Sequence, residues 1–147
     1  MTNLTSSTKP ASIKNIERAW HLIDIQEKIL GRVAPDIVRL LMGKHKTQYV
    51  SYLDMGDNVV VVNSKKVAVT GRKAKQKVYT SYSGYPGGLK KIILGTLLDS
   101  NPSQVIRHAV SGMLPKNKLR DKRLARLFIF PDGRHPYEEK FEIINSK

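Results

Sequence analysis

The alternation of apolar and polar residues predicts three kinds of element along the first half of this chain. Apolar residues at positions 33, 37, 40 and 41 lie on one face of a helix, with Pro35 in its first turn and Gly43 at its end. Residues 58–63 form a continuous β-branched run between two asparagines, which is typical of a strand buried on both faces. A strand over residues 20–25 precedes the helix, so we predict a β-strand–helix–β-strand unit within a parallel sheet.

The second half continues this alternation of strands and helices. Residues 77–82 alternate and are rich in strand-forming residues, so we predict a third strand, followed by a glycine-rich loop over 83–88 and a short helix over 91–98. We predict that an amphipathic helix follows, with Asn101 as its N-cap and Pro102 as its first residue. A final apolar strand covers residues 127–130. The chain therefore belongs to the α/β class.

Positive charge is the strongest global property of the chain. Its 147 residues carry a formal net charge of +14, and residues 58–98 contain no acidic side chain. Four segments are rich in cations, residues 43–46, 72–77, 90–91 and 116–126, and we expect the last to be a basic helix with cations around its circumference. Such a segregation of charge indicates either one large surface that faces an anion or, more simply, a solvated charged face.

Candidate catalytic and metal-binding groups are poorly supported. Cysteine is absent, and the four histidines, His21, His45, His108 and His135, show no metal-ligand spacing. Asp54 and Asp57 flank Gly56, where we expect a turn or a capping role. The sequence has no nucleotide-binding fingerprint and no apolar run of the ~20 residues that a membrane-spanning helix needs. We therefore predict no catalytic residue, no metal, no cofactor, no small-molecule substrate and no membrane association.

The lysines, tyrosines and glycines of the chain are residue types that can form contacts with RNA. Lysines neutralise phosphates, exposed tyrosines stack on unpaired bases, and glycines let a backbone approach closely. Several basic segments on one small domain fit a folded RNA better than a single DNA groove. The candidate RNA-binding residues are Lys44, His45, Lys46, Arg72, Lys73, Lys75, Lys77, Tyr82, Tyr85, Gly87, Gly88, Lys90, Lys91, Lys116, Lys118, Arg120, Lys122, Arg123 and Arg126.

Nine short motifs, in order along the chain, resemble those of a known family. They are Trp20-His-Leu-Ile-Asp, Leu30-Gly-Arg, Gly43-Lys-His-Lys, Asp54-x-Gly-Asp, Val62-Asn, Lys66-Val-x-Val-Thr-Gly, Gln76-Lys-Val-Tyr, Ser83-Gly-x-Pro-Gly-Gly and Gly112-Met-Leu-Pro-Lys. From about Trp20 to Tyr137 the chain resembles the family of ribosomal protein thirteen of the large subunit.

The resemblance implies a fold, a function and partners. It implies a three-layer α/β/α domain around a four-stranded, mostly parallel sheet, and a non-enzymatic protein that binds large-subunit ribosomal RNA early in assembly beside neighbouring ribosomal proteins. The family's RNA contacts carry over to Lys44, Lys46, Arg72, Lys73, Lys116 and Lys118. We expect a flexible tail over residues 1–16, one domain over 17–137 and a polar tail over 138–147.

Two other functions remain open at this point. The same surface fits a free regulator that binds messenger RNA, and the loop over residues 83–88 fits the phosphate loop of a nucleotide-dependent enzyme that acts on RNA. The amino-terminal residues lack the apolar core of a signal peptide, so we expect a cytoplasmic ribosome. A mitochondrial or plastid ribosome is the alternative.

Overall fold

The computed structural model describes residues 12–145 of the chain. A 3₁₀ turn at Ile13–Asn15 opens the described part, so most of the tail expected over residues 1–16 lies outside it. The strands are β1 (Trp20–Asp24), β2 (Asn58–Val62), β3 (Val78–Tyr82), β4 (Leu89–Ile93) and β5 (Leu127–Ile129). The helices are α1 (Leu30–Met42), α2 (Lys73–Gln76), α3 (Leu94–Ser100), α4 (Pro102–Met113), α5 (Arg120–Leu124) and α6 (Glu138–Asn145).

A three-stranded parallel sheet with the order β1-β2-β5 forms the centre of the fold. The middle strand, β2, is buried on both faces, and Val59, Val60 and Val61 are 0% exposed, as the β-branched run predicts. Helix α1 joins β1 to its parallel neighbour β2, which confirms the predicted β-strand–helix–β-strand unit.

Helix α1 ends as the sequence predicts but begins earlier. Gly43 adopts the left-handed conformation with φ +78°, and its backbone N–H is bonded to the carbonyls of Arg39 and Leu40. A Cβ on Gly43 would stand 2.6 Å from the Met55 carbonyl oxygen, so only glycine fits this position. Pro35 lies inside the helix, not in its first turn, because the helix already begins at Leu30.

The third and fourth strands do not join the parallel sheet. They form a separate antiparallel hairpin in which Val78 pairs with Ile93 and Tyr82 with Leu89. The expected four-stranded sheet is therefore wrong for the described residues, and the helix expected over residues 91–98 is present but begins only at Leu94, because residues 91–93 belong to β4. The reason is the length of the loop between the strands, because six residues can reverse a chain into an antiparallel partner but cannot return it to a parallel one.

Helices α1 and α4 cover one face of the parallel sheet. The Asn101 side chain accepts a hydrogen bond from the Gln104 backbone N–H, which confirms the predicted N-cap of α4. Ile37 of α1, Ile106 and Val110 of α4 and Val59 of β2 are 0% exposed and share one apolar cluster. Burial of these side chains is the main stabilising contribution to the domain.

An aromatic cluster covers part of the other face. The ring of Trp20 stacks on Phe128 with centroids 5.7 Å apart, and Tyr137 and Phe141 lie 5.1 and 6.3 Å from it. Phe141 belongs to α6, so a helix occupies most of residues 138–147, where a polar tail is expected from the sequence. None of the helices in residues 12–145 has the length and apolar character needed to cross a bilayer.

Candidate RNA interface

The hairpin β3–β4 and the short helix α2 carry a group of exposed cations. Lys73 and Lys75 lie on α2, Lys77 precedes β3, and Lys90 and Lys91 lie on β4; all five are exposed. Among the residues that the structure describes, none of these lysines has a carboxylate within ion-pair distance. Together with the exposed Arg72 they form what we call the basic arm, residues 72–91.

The loop at the tip of the basic arm displays aromatic rings beside glycines. Tyr82 is 65% exposed and Tyr85 75% exposed, so both rings are free to stack on another molecule. Gly87 has φ +73°, and a Cβ on Gly88 would stand within 3.2 Å of the Ser83 side chain, so both positions suit glycine. Tyr79 is different, because its ring stacks on His108 at 5.1 Å and receives the Lys77 ammonium at 5.1 Å.

The predicted basic helix over residues 116–126 is mostly not a helix. Only Arg120–Leu124 is helical, and just before it the Asn117 side chain accepts a hydrogen bond from the Leu119 backbone N–H. Lys116, Lys118 and Lys122 are exposed, as an RNA-facing segment requires. We call these three residues the second basic patch.

The three arginines of this segment face the protein instead of solvent. Arg123 is 1% exposed, the Arg126 side chain is 13% exposed, and the Arg120 guanidinium donates a hydrogen bond to the Ser111 hydroxyl. The expectation that cations surround a solvated helix is therefore wrong for them. A spacing of three residues places all three on the same side of a helical turn, and that side packs on the domain.

Asp54 is the anion that these arginines meet. The Arg126 guanidinium donates to both of its carboxylate oxygens, at 2.6 and 2.5 Å, and Arg123 and Arg18 stand 3.6 and 3.8 Å away. Burial by itself raises the pKa of Asp54, but the hydrogen bonds and charge of Arg126, with the charges of Arg18 and Arg123, lower that pKa below its ordinary value. Asp54 therefore holds an internal ion-pair network and not a simple turn.

The basic loop after α1 is tied down by a second buried acid, Asp57. Asp57 is 0% exposed; its Oδ1 accepts from Lys46 Nζ at 2.5 Å and from the Ala19 backbone N–H at 3.1 Å. Its Oδ2 lies 3.0 Å from His21 Nε2 and 2.9 Å from His45 Nε2. Burial raises the pKa of Asp57, yet the bonds from His21, Lys46 and Ala19 lower it to about 2.

These contacts separate the candidate RNA-binding residues of the loop into an exposed lysine and two side chains that are bound to Asp57. Lys44 is exposed and free to meet a phosphate, whereas Lys46 and His45 are directed to Asp57. Spacing along the sequence does not reveal this cluster, because His21, His45 and Asp57 come from three separate segments. The available sequence signals were an aspartate beside Gly56 and a histidine within the first predicted strand, and both are too common to interpret alone.

The basic arm and the end of α4 line one cavity of about 390 Å³. Lys73, Lys77 and Tyr79 contribute from the arm, and Gly112 and Met113 contribute from α4, just before the second basic patch. The tertiary structure thus places the basic arm beside the end of α4, three residues before the exposed Lys116. Exposed cations on both segments suit contacts with a polyanion.

Comparison with known proteins agrees with this geometry. The sequence model of the family described as Ribosomal protein L13 matches residues 18–136. The chain is 49% identical to large ribosomal subunit protein uL13 of Pelobacter propionicus over 131 residues, which is 89% of this chain and 92% of that protein. It is 48% identical to the uL13 of Thermus thermophilus over 88% of this chain and 96% of that protein, and 45% identical to the uL13 of Clostridioides difficile over 95% and 96%. With most of its length matched at this level, the chain belongs to the ribosomal protein L13 family.

Proposed function

We propose that this protein is a structural component of the large ribosomal subunit that binds large-subunit ribosomal RNA and acts early in subunit assembly. The observation that carries the proposal is the set of exposed cations on the basic arm and the second basic patch, none of which has a carboxylate within ion-pair distance among the described residues. The relatives it matches bear the name of a large-subunit protein, and the family is one of ribosomal proteins and not of enzymes.

The two kinds of basic side chain have different roles in this proposal. Exposed lysines and Arg72 neutralise phosphates, while Tyr82 and Tyr85 stack on unpaired bases at the tip of the arm. Arg123, Arg126 and Lys46 do not belong to the interface, because their charges are already paired inside the domain. They hold the exposed cations in position, which reduces the entropy lost on binding.

Sedimentation of the tagged protein from a cell extract tests the proposal, first at low salt and then after a high-salt wash. We expect cosedimentation with the large subunit that persists after the wash, because shape and stacking contacts remain when phosphate contacts are screened. Particles trapped early in assembly should already contain the protein. Recovery at the top of the gradient, or together with messenger RNA alone, would instead support a free RNA-binding regulator.

A further inference from the structure

Three side chains at the amino end of the parallel sheet converge on one point. His21 comes from β1, His45 from the loop after α1, and Asp57 from the residue before β2, and one potential ligand atom of each lies within 4.8 Å of the others. We propose that His21 Nε2, His45 Nε2 and Asp57 Oδ2 form a binding site for a divalent transition metal ion, of which Zn²⁺ is the best fit.

The distances are close to those that such an ion requires. Bonds of 2.0–2.1 Å in tetrahedral geometry place two ligand atoms about 3.3 Å apart. The two imidazole nitrogens stand 3.0 and 2.9 Å from Asp57 Oδ2, a few tenths of an ångström short of that separation, and all three atoms lie within 4.8 Å of one another. Two imidazoles and a carboxylate are ligands that zinc, cobalt and nickel accept, whereas magnesium and calcium prefer oxygen alone.

The two oxygens of Asp57 are used differently. Oδ1 accepts the bonds from Lys46 and the Ala19 backbone N–H, whereas Oδ2 faces only the two imidazoles among the contacts described. Hydrogen bonds to the second oxygen of a carboxylate are what orients it toward a metal ion. Lys46 therefore fixes the carboxylate without occupying the oxygen that the ion uses.

The backbone around the site is held from several sides. The Asp57 N–H donates to the Leu40 carbonyl at 3.2 Å, and the Asn58 N–H donates to the Ala19 carbonyl at 3.0 Å. The side chains of His21 and His45 are 31% and 27% exposed, so an ion could enter and keep a water molecule as its fourth ligand. Because Lys46 already balances the charge of Asp57, we expect moderate affinity, in the micromolar range.

Titration of the full-length, tag-free and RNA-free protein with Zn²⁺ and with Co²⁺ tests the site. We expect one metal ion to bind per protein molecule. The protein loaded with Co²⁺ should show the visible absorption of Co²⁺ in a site of low coordination number. His21→Gln and His45→Gln should each weaken binding by at least about tenfold, since even changes outside the ligand set cost that much. His108→Gln is the matched control, because this histidine stacks on Tyr79 and is not one of the three ligands, and it should leave affinity unchanged.

A second measurement on the unaltered protein covers the case in which a variant fails to fold. On addition of Zn²⁺ the imidazole NMR signals of His21 and His45 should shift, while those of His108 and His135 stay in place. Absence of stoichiometric binding, or equal affinity in His21→Gln and the unaltered protein, would show that the imidazoles only donate hydrogen bonds to Asp57. Neither result bears on RNA binding, so this inference and the proposed function fail separately.

Discussion

Arg126 and Asp54 form a two-pronged ion pair across 72 residues of sequence, with nitrogen–oxygen distances of 2.6 and 2.5 Å. The pair joins the segment before β5 to the loop before β2, so it connects the second basic patch to the parallel sheet. Arg123, which is 1% exposed, depends on the same carboxylate. A buried guanidinium needs such a counter-charge, because desolvation of an unpaired ion is costly.

Asp54→Asn should destabilise the domain strongly. The substitution leaves Arg123 and Arg126 without their counter-charge, and loss of one partner from a buried pair costs about 3–5 kcal/mol. The free energy of unfolding, measured with urea, checks this value. Asp132→Asn is the control, since Asp132 pairs with Lys65 on the surface with both side chains more than half exposed, and its loss should change stability by less than about 1 kcal/mol. Equal effects of the two substitutions would contradict the buried network.

Acid should destabilise the protein in part through Asp54. The pKa of this carboxyl is lowered in the folded state from its ordinary value of 3.8, so the unfolded chain binds the proton more tightly. The stabilisation is therefore complete well above pH 3.8 and is lost as the pH falls through that value toward the lower folded pKa. Urea unfolding between pH 7 and pH 3 should show a smaller loss of stability in Asp54→Asn than in the unaltered protein. Parallel curves for the two proteins would exclude this contribution.

Removal of two lysines from the basic arm should weaken RNA binding and change its salt dependence. Each phosphate contact contributes about one unit, or slightly less, to the slope of log affinity against log salt. We expect Lys73→Ala combined with Lys75→Ala to make the slope shallower by between one and two units in filter binding to large-subunit ribosomal RNA. Lys65→Ala, which removes a cation already paired with Asp132, should change the slope less. An unchanged slope in the double variant would remove α2 from the interface.

The exposed ring of Tyr85 should contribute to RNA binding by stacking. Tyr85 is 75% exposed, so Tyr85→Ala should leave folding intact and reduce RNA affinity by about 1–3 kcal/mol, the usual value for a stacked base. Tyr85→Phe keeps the ring and should bind nearly as well as the unaltered protein. If Phe and Ala reduce affinity equally, the hydroxyl and not the ring makes the contact.

Gly56 allows the loop before β2 to pass against α1. A Cβ at this position would stand 1.8 Å from the Leu41 carbonyl oxygen and 2.5 Å from its carbonyl carbon, both of which are backbone atoms that cannot move aside. Gly56→Ala should therefore cost several kcal/mol, on the order of 3 or more, or prevent folding. Gly112→Ala is a matched control within α4, where a Cβ meets nothing within 4 Å. Thermal unfolding of the two variants measures the difference.

Local pattern was sufficient for the parallel part of the fold. The β-branched run at residues 58–63, the helical spacing that ends at Gly43 and the Asn101 cap each specify an element through contacts within a few residues. Charge segregation and the order of short motifs likewise predicted RNA binding and the family without any tertiary information, and the family is confirmed. What these signals share is that each is visible along the sequence and requires no contact between distant segments.

Only the tertiary structure decided which strands pair and which cations face solvent. Residues 77–82 form a strand in either topology, and the partner that they meet depends on the short loop that follows. Arg123 and Lys122 look equivalent in sequence, yet one is buried against Asp54 and the other is exposed. His21, His45 and Asp57 meet because β1, the loop after α1 and the start of β2 lie at one end of the sheet. A side chain's partner is set by packing between distant segments, and no local period encodes it.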